Sequence, residues 1–200
     1  MKKSIFISVF FLIAAVSFSF IPVVHGVSDA YKHNIYDPGR QKPTDSKLKV
    51  KVGMEAPDFT LKAVAGGTVS LKQYRGKKNV VLSFVPAAWT PVCSDQWPGY
   101  NIVKDIFEEN DAVLLGISVD NIPTLHSWIN QMGDLWFPVL SDFWPHGKAA
   151  TLFGILRSDG TAERAIIVID KKGIIRYIDV HNVNERPPLE GIIRELEKLR

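Results

Sequence analysis

A near-continuous apolar run, Asn79-Val-Val-Leu-Ser-Phe84, leads into Val85-Pro-Ala-Ala-Trp-Thr-Pro-Val-Cys-Ser94 and then into a helical pattern that reaches about Glu109. This junction constrains the chain more than any other stretch. A strand that is apolar on both sides must be covered on both faces, which places it in the middle of a sheet. Cys93, the only cysteine among 200 residues, falls where the strand hands over to the helix, near the helix N-terminus. Unpaired backbone N–H groups and the positive end of the helix dipole favour an anion there. A thiolate is an anion, and such placement is one of the settings that make cysteines reactive.

Magnitudes set a further requirement. An ordinary thiol, with a pKa of about 8.5, is only a few per cent ionised at pH 7. A helix terminus contributes about 0.5–1 kcal/mol toward an anion, against the roughly 2.7 kcal/mol needed to make a thiolate dominant. A cation or directed hydrogen bonds must supply the rest. A single cysteine also excludes an internal disulfide and any multi-cysteine metal site. A lone cysteine on an apolar strand is ordinarily an inert buried thiol. Thr90, three residues ahead at a helix start, turns the reading toward a reactive one.

The stretch resembles the active-site motif of the peroxiredoxins: Pro, three residues, Thr or Ser, two residues, then the peroxidatic Cys. Here these are Pro86, Ala87-Ala-Trp89, Thr90, Pro91-Val92 and Cys93. A second family feature is an Arg just ahead of a late strand that ends in an Asp-x-x-Gly turn. Here it is Arg164, in Glu163-Arg-Ala-Ile-Ile-Val-Ile-Asp-Lys-Lys-Gly-Ile-Ile175. Ala56-Pro-Asp-Phe59 is also common at the start of the family's domain. The resemblance covers about Val50 to Leu199. It implies an α/β fold, a thioredoxin-like three-layer sandwich with a central mixed β-sheet flanked by helices.

It also implies roles. Cys93 is the nucleophile. Thr90 accepts from the peroxide and donates to the thiolate, Arg164 holds both thiolate and peroxide, and Pro86 walls off the sulfur from water. On residue type alone Thr90 is equally a helix N-cap, Arg164 an exposed strand-edge charge and Pro86 a strand terminator. Gln96 stands where related enzymes often carry Glu, which puts in question a salt bridge from that position. Trp89 is read as lining the pocket mouth.

Periodicity supports a three-layer α/β domain over residues 50–200. Phe59 and Leu61 alternate with polar neighbours, as in a half-buried strand, and Val69–Tyr74 runs from strand end into a helical turn. Trp97, Tyr100, Val103 and Phe107 form a core stripe on a helix that Pro98-Gly99 breaks or kinks. Ala112–Asp120 and Pro138–Ser141 are strands, and Pro123 opens a helix facing inward through Leu125, Trp128 and Ile129. A helix over Lys148–Leu156, strands Ala165–Ile169 and Ile174–Asp179 about a Gly173 turn, and a helix over Pro188–Leu199 complete the domain.

Residues 1–26 open Met-Lys-Lys, then run uncharged from Ser4 to Val24, which reads as a secretory signal peptide. The run approaches the roughly 20 residues that span a bilayer, so an uncleaved anchor is the alternative. No cysteine follows it for lipid attachment. The domain is expected to be periplasmic or secreted, or anchored to the outer face of the inner membrane. Residues 27–49 are polar with no period and contain Pro38, Gly39 and Pro43, which reads as a flexible linker.

The formal charge is +3, and Lys2 and Lys3 of the leader account for two of it, so no nucleic-acid surface is indicated. His126, His146 and His181 lack ligand spacing, and neither metal nor cofactor is expected. The reading is a thiol-dependent peroxidase for hydrogen peroxide or organic hydroperoxides. A one-Cys mechanism would draw on an external thiol or a thioredoxin-like reductant, and a homodimer is compatible with it. A thiol–disulfide oxidoreductase is the alternative, but it needs Cys-x-x-Cys and has Thr90 at the first position. A non-catalytic binding module has no chemical need for Pro86, Thr90, Cys93 and Arg164 together.

Overall fold

The structure, a computed structural model, describes residues 29–200. The expected signal peptide or anchor, residues 1–26, lies outside the described residues. Seven strands form one mixed sheet: β1 (Thr60–Ala63), β2 (Thr68–Ser70), β3 (Asn79–Phe84), β4 (Ala112–Ser118), β5 (Val139–Ser141), β6 (Arg164–Ile169) and β7 (Ile175–His181), in the order β2-β1-β5-β4-β3-β6-β7. The centre is parallel, with β3 beside β4 and β4 beside β5. The flanks are antiparallel, through β6 on β3, β7 on β6, and β1 on β5.

Every residue of β3 is buried, as its unbroken apolar run requires. Its alternation splits the core in two. Val80, Leu82 and Phe84 face a cluster with Phe59, Ala150 and Phe153. Val81 and Val85 face a second cluster with Cys93, Trp97, Phe107 and Trp128. Full burial of aromatic side chains such as Trp97 and Trp128 stabilises such a core by about 1.5–3 kcal/mol each or somewhat more. Helices α2 (Pro91–Gly99), α3 (Lys104–Glu109), α4 (Ile122–Met132) and α6 (Leu189–Glu197) supply the second cluster, and α5 (Lys148–Phe153) the first.

The expected helix from Ser94 to Glu109 is three pieces. Pro98 lies inside α2, a 3-10 turn follows over Tyr100–Val103, and α3 resumes at Lys104. The aromatic stripe survives the break, with Trp97, Tyr100 and Phe107 buried. The first strand begins later than the alternation suggested, at Thr60. The hairpin strand β6 begins one residue earlier, so that Arg164 itself pairs with His181.

The largest departure concerns residues 29–49, read as a flexible linker. A short helix, α1 (Asp29–His33), begins a strap that packs along the domain. Tyr31 is 1% exposed, with its ring 5.8 Å from that of Trp89, and its hydroxyl accepts from Trp128 Nε1 at 3.0 Å. Tyr36 N donates to the Trp89 carbonyl at 2.8 Å. Gln41 exchanges two hydrogen bonds with the Asn184 side chain, through N to Oδ1 at 2.8 Å and O from Nδ2 at 2.9 Å.

Further along, Val183 N donates to the Pro43 carbonyl at 3.0 Å, and Asp45 N donates to Glu163 Oε1 at 2.6 Å. Lys49 N then donates to the Phe153 carbonyl at 3.0 Å. Gly154, which ends α5 at φ +74°, makes room for this end of the strap. A Cβ there would lie 2.4 Å from Lys47 O and Lys49 N. The linker reading failed because backbone groups carry most of these contacts, and backbone groups leave no mark on composition.

Candidate active site

Cys93 is the third residue of α2, behind Thr90 at the N-cap and Pro91 at the first helical position. The turn between β3 and α2 is tightly held. Trp89 adopts φ +61°, the left-handed region that costs a bulky residue about 1–2 kcal/mol. Its carbonyl is held by Tyr36 N, and the amide of Ala88 is held by Asp120 Oδ2 at 2.7 Å. Asp120 in turn accepts from Ser118 Oγ at 2.5 Å. Motif reading had no way to find Asp120, because a single carboxylate after a strand has no distinguishing neighbours.

Arg164 crosses the sheet to this helix. It is 2% exposed, so the exposed strand-edge alternative falls away. Its Nη2 lies 3.4 Å from Cys93 Sγ, and Nη1 donates to Gln96 Oε1 at 2.5 Å. Nε and Nη2 both donate to the Val183 carbonyl, at 3.1 and 3.0 Å. A carboxamide oxygen and a peptide carbonyl are neutral. Among these hydrogen-bond partners only the sulfur can carry a full negative charge. A buried guanidinium without compensation is costly, and this one is held within reach of the sulfur.

Gln96 does not form a salt bridge here, yet it is part of the site. Its Oε1 faces Arg164, and its Nε2 donates to Ser83 Oγ at 3.1 Å and Tyr100 Oη at 3.0 Å. Burial raises the phenol pKa of Tyr100, offset in part by its bonds with Ser83 and Gln96 and by the nearby Arg164 charge. On the far side of Cys93, Trp128 Nε1 also donates to Ser94 Oγ at 3.1 Å. Burial raises the Tyr31 phenol too, and the Ser94 and Trp128 hydrogen bonds oppose it.

A cavity of about 530 Å³ opens at this end of the sheet. Pro86, Thr90 and Arg164 line it together, whereas Cys93 is fully buried and does not. Thr90 Oγ1 donates to the Ala87 carbonyl at 2.9 Å and makes no capping bond. Its proton is thus committed to the backbone rather than to the sulfur, which leaves the oxygen as an acceptor facing the cavity. Trp89 is absent from the cavity lining and packs on Tyr31 instead.

His126 lies beside Asn130, His146 Nε2 donates to the Gly160 carbonyl, and His181 sits 3.3 Å from Asp179. No group of three or more His, Cys, Asp or Glu side chains among the described residues is arranged to hold a metal ion.

A mixed sheet with helices on both faces, and a buried thiol at a helix N-terminus beside a guanidinium, define a protein of the thioredoxin-like superfamily built for thiol chemistry. The match to known proteins is specific. Residues 52–178 match the model of the AhpC/TSA family, and the chain belongs to that family.

Alkyl hydroperoxide reductase E of Mycobacterium tuberculosis (strain ATCC 25618 / H37Rv) is 40% identical over 137 residues, covering 68% of this chain and 89% of that protein. The chloroplastic 2-cysteine peroxiredoxin of Chattonella marina var. antiqua is 32% identical over 162 residues, covering 76% and 82%. Among solved structures, the reduced 2-Cys peroxiredoxin of Plasmodium vivax superposes with a TM-score of 0.70 at 31% identity, over 74% of this chain and 81% of that one. The chain is a thiol-dependent peroxidase. The family match holds Pro86, Thr90, Cys93 and Arg164, and excludes the strap and its partners Val183 and Asn184.

Proposed function

We propose that the chain reduces hydroperoxides by a one-Cys mechanism at Cys93 and is restored by a thiol from outside the chain. The observation that carries this reading is the 3.4 Å contact between Arg164 Nη2 and Cys93 Sγ, made by a buried guanidinium whose other partners are neutral.

The Cys93 thiolate attacks the terminal oxygen of ROOH, the S–O bond forms and the O–O bond breaks. The alkoxide leaves and takes up a proton as ROH, and the sulfur remains as a sulfenic acid. Negative charge spreads over sulfur and both oxygens on the way. Arg164 meets it from one side, and preorganised donors of this kind cost no reorganisation during the reaction. Thr90 Oγ1 accepts a hydrogen bond from the hydroperoxide O–H and orients the substrate. Pro86 keeps water from the sulfur.

The 200 residues hold no second cysteine, so a thiol R′SH condenses with the sulfenic acid, releasing water and leaving a mixed disulfide. A second R′SH then attacks the R′ sulfur of the mixed disulfide, forming R′SSR′ and expelling the Cys93 thiolate. Stopped-flow mixing with hydrogen peroxide tests the first step. The expected result is oxidation far faster than that of free cysteine, and its loss in Cys93→Ser. A wild-type rate equal to that of free cysteine rejects the mechanism.

The lysine pair and uncharged run of residues 1–26 support export, with the enzyme acting outside the inner membrane. N-terminal sequencing of the protein from an extracytoplasmic fraction tests this. A chain found only in the cytoplasm overturns it.

A further inference from the structure

We infer that the strap segment Tyr36–Gln41 is a specificity-determining wall of the peroxide site, forming a subsite for the organic part of a hydroperoxide. The inference rests on the peroxidase reading above and concerns residues outside the family match. The cavity of about 530 Å³ lies between two walls. One carries Pro86, Thr90 and Arg164; the other is Tyr36 through Gln41. Hydrogen peroxide is little larger than a water molecule, whose share of liquid volume is about 30 Å³. It can fill only a small part of this space and leaves most of the lining uncontacted. A hydroperoxide with a carbon skeleton can contact more of it.

The wall is suited to such a group. Tyr36 and Pro38 present an aromatic ring and a pyrrolidine ring, and both are exposed to the cavity side and solvent rather than buried in the core. The segment is fixed at both ends. Tyr36 N is held by the Trp89 carbonyl, and Gln41 by the paired bonds with Asn184. Between them Asp37 Oδ1 accepts from Gly39 N at 2.8 Å, closing a turn that Gly39 permits at φ +69°. A wall fixed in this way offers contact without first having to be ordered.

The test compares second-order rate constants for Cys93 oxidation by cumene hydroperoxide and by hydrogen peroxide in the full chain. Loss of roughly 40 Å² of apolar contact corresponds to about a fivefold change in rate constant. The ratio of cumene hydroperoxide to hydrogen peroxide is expected to fall by about that factor in Tyr36→Ala combined with Pro38→Ala. Asn184→Ala, which frees Gln41 without touching the wall's apolar surface, is expected to lower the ratio in the same direction.

An unchanged ratio in both variants overturns the inference. So does a change confined to re-reduction of the sulfenic acid by a thiol such as mercaptoethanol, which would assign the wall to the reductant. Failure of the wild type to outpace free cysteine with either peroxide is a distinct result and removes the peroxidase reading itself.

Discussion

The two walls of the cavity are held by different physics. The wall from Pro86 to Val92 is built on the core: β3 runs into it fully buried, Asp120 fixes its Ala88 amide, and the buried Arg164 adjoins it. The wall from Tyr36 to Gln41 belongs to the surface. It is attached by single hydrogen bonds, a reciprocal amide pair and one buried aromatic ring, Tyr31. Burial gives the first wall most of its stability, whereas the second depends on a handful of directional contacts worth about 1 kcal/mol each. Chemistry sits on the stiff side, and the inferred contact with the organic part of a substrate falls on the other.

Three changes probe this contrast. The largest effect is expected from Arg164→Ala on the stiff side. Loss of a preorganised donor slows oxidation of Cys93 by hydrogen peroxide roughly 10²- to 10³-fold, read by stopped flow. A rate within threefold of wild type would mean that another group meets the developing charge.

Next is Glu163→Ala, where the strap meets the core. Glu163 and Arg157 form a buried ion pair at 2.6 Å, with side chains 0% and 3% exposed. Glu163 also accepts from Asp45 N, and Arg157 Nη2 donates to the Lys42 carbonyl at 3.0 Å. Removing the carboxylate leaves the buried guanidinium with the half-exposed Asp159, 3.7 Å from Nε, and the Lys42 carbonyl, at an expected cost of about 1.5–3 kcal/mol in chemical denaturation. A loss under about 1 kcal/mol would show that this anchor is as peripheral as the rest of the strap.

The smallest effect is a response to acid. Hydrogen bonds from the Lys42 ammonium and from the Ser158 hydroxyl and amide hold the Asp45 carboxyl well below the usual carboxylate range. A depressed folded value means that the contribution of Asp45 is fully present above its unfolded pKa of about 3.9 and is lost as pH falls through the folded value. Amide exchange at Ser158, whose N–H is bound to Asp45 at 3.0 Å, should stay protected from pH 7 to pH 4 and weaken only in stronger acid. Protection already lost at pH 5 would contradict the assignment. Asp45→Asn should loosen the same amide at neutral pH.

The same contrast governs what could be read from residues alone. Pro86, Thr90 and Cys93 stood out by residue type at fixed spacing, and Arg164 by its place ahead of a late strand; the structure sets Arg164 against Cys93 and lines one cavity with Pro86, Thr90 and Arg164. The sheet was legible through the unbroken apolar runs of β3, β4 and β6. Thr90 was expected to donate to the thiolate but donates to the Ala87 carbonyl, and nothing in a sequence shows that this carbonyl stands within its reach. Val183 was invisible for a related reason. It acts through its carbonyl on Arg164 and its amide on Pro43, and any residue offers those groups. Tyr31, Ile35 and Tyr36 were the available clue to the strap, being three large apolar or aromatic residues in a stretch otherwise fit for solvent.

Full burial of Cys93 has a practical consequence. Alkylating dyes and maleimides probe how far a sulfur can be reached, and a sulfur enclosed by its own helix and loop will be labelled slowly however strong a nucleophile it is. On the native protein, sluggish labelling therefore measures the enclosure, and the rate with a hydroperoxide, which needs to bring only its terminal oxygen to the sulfur, reports the reactivity inside it.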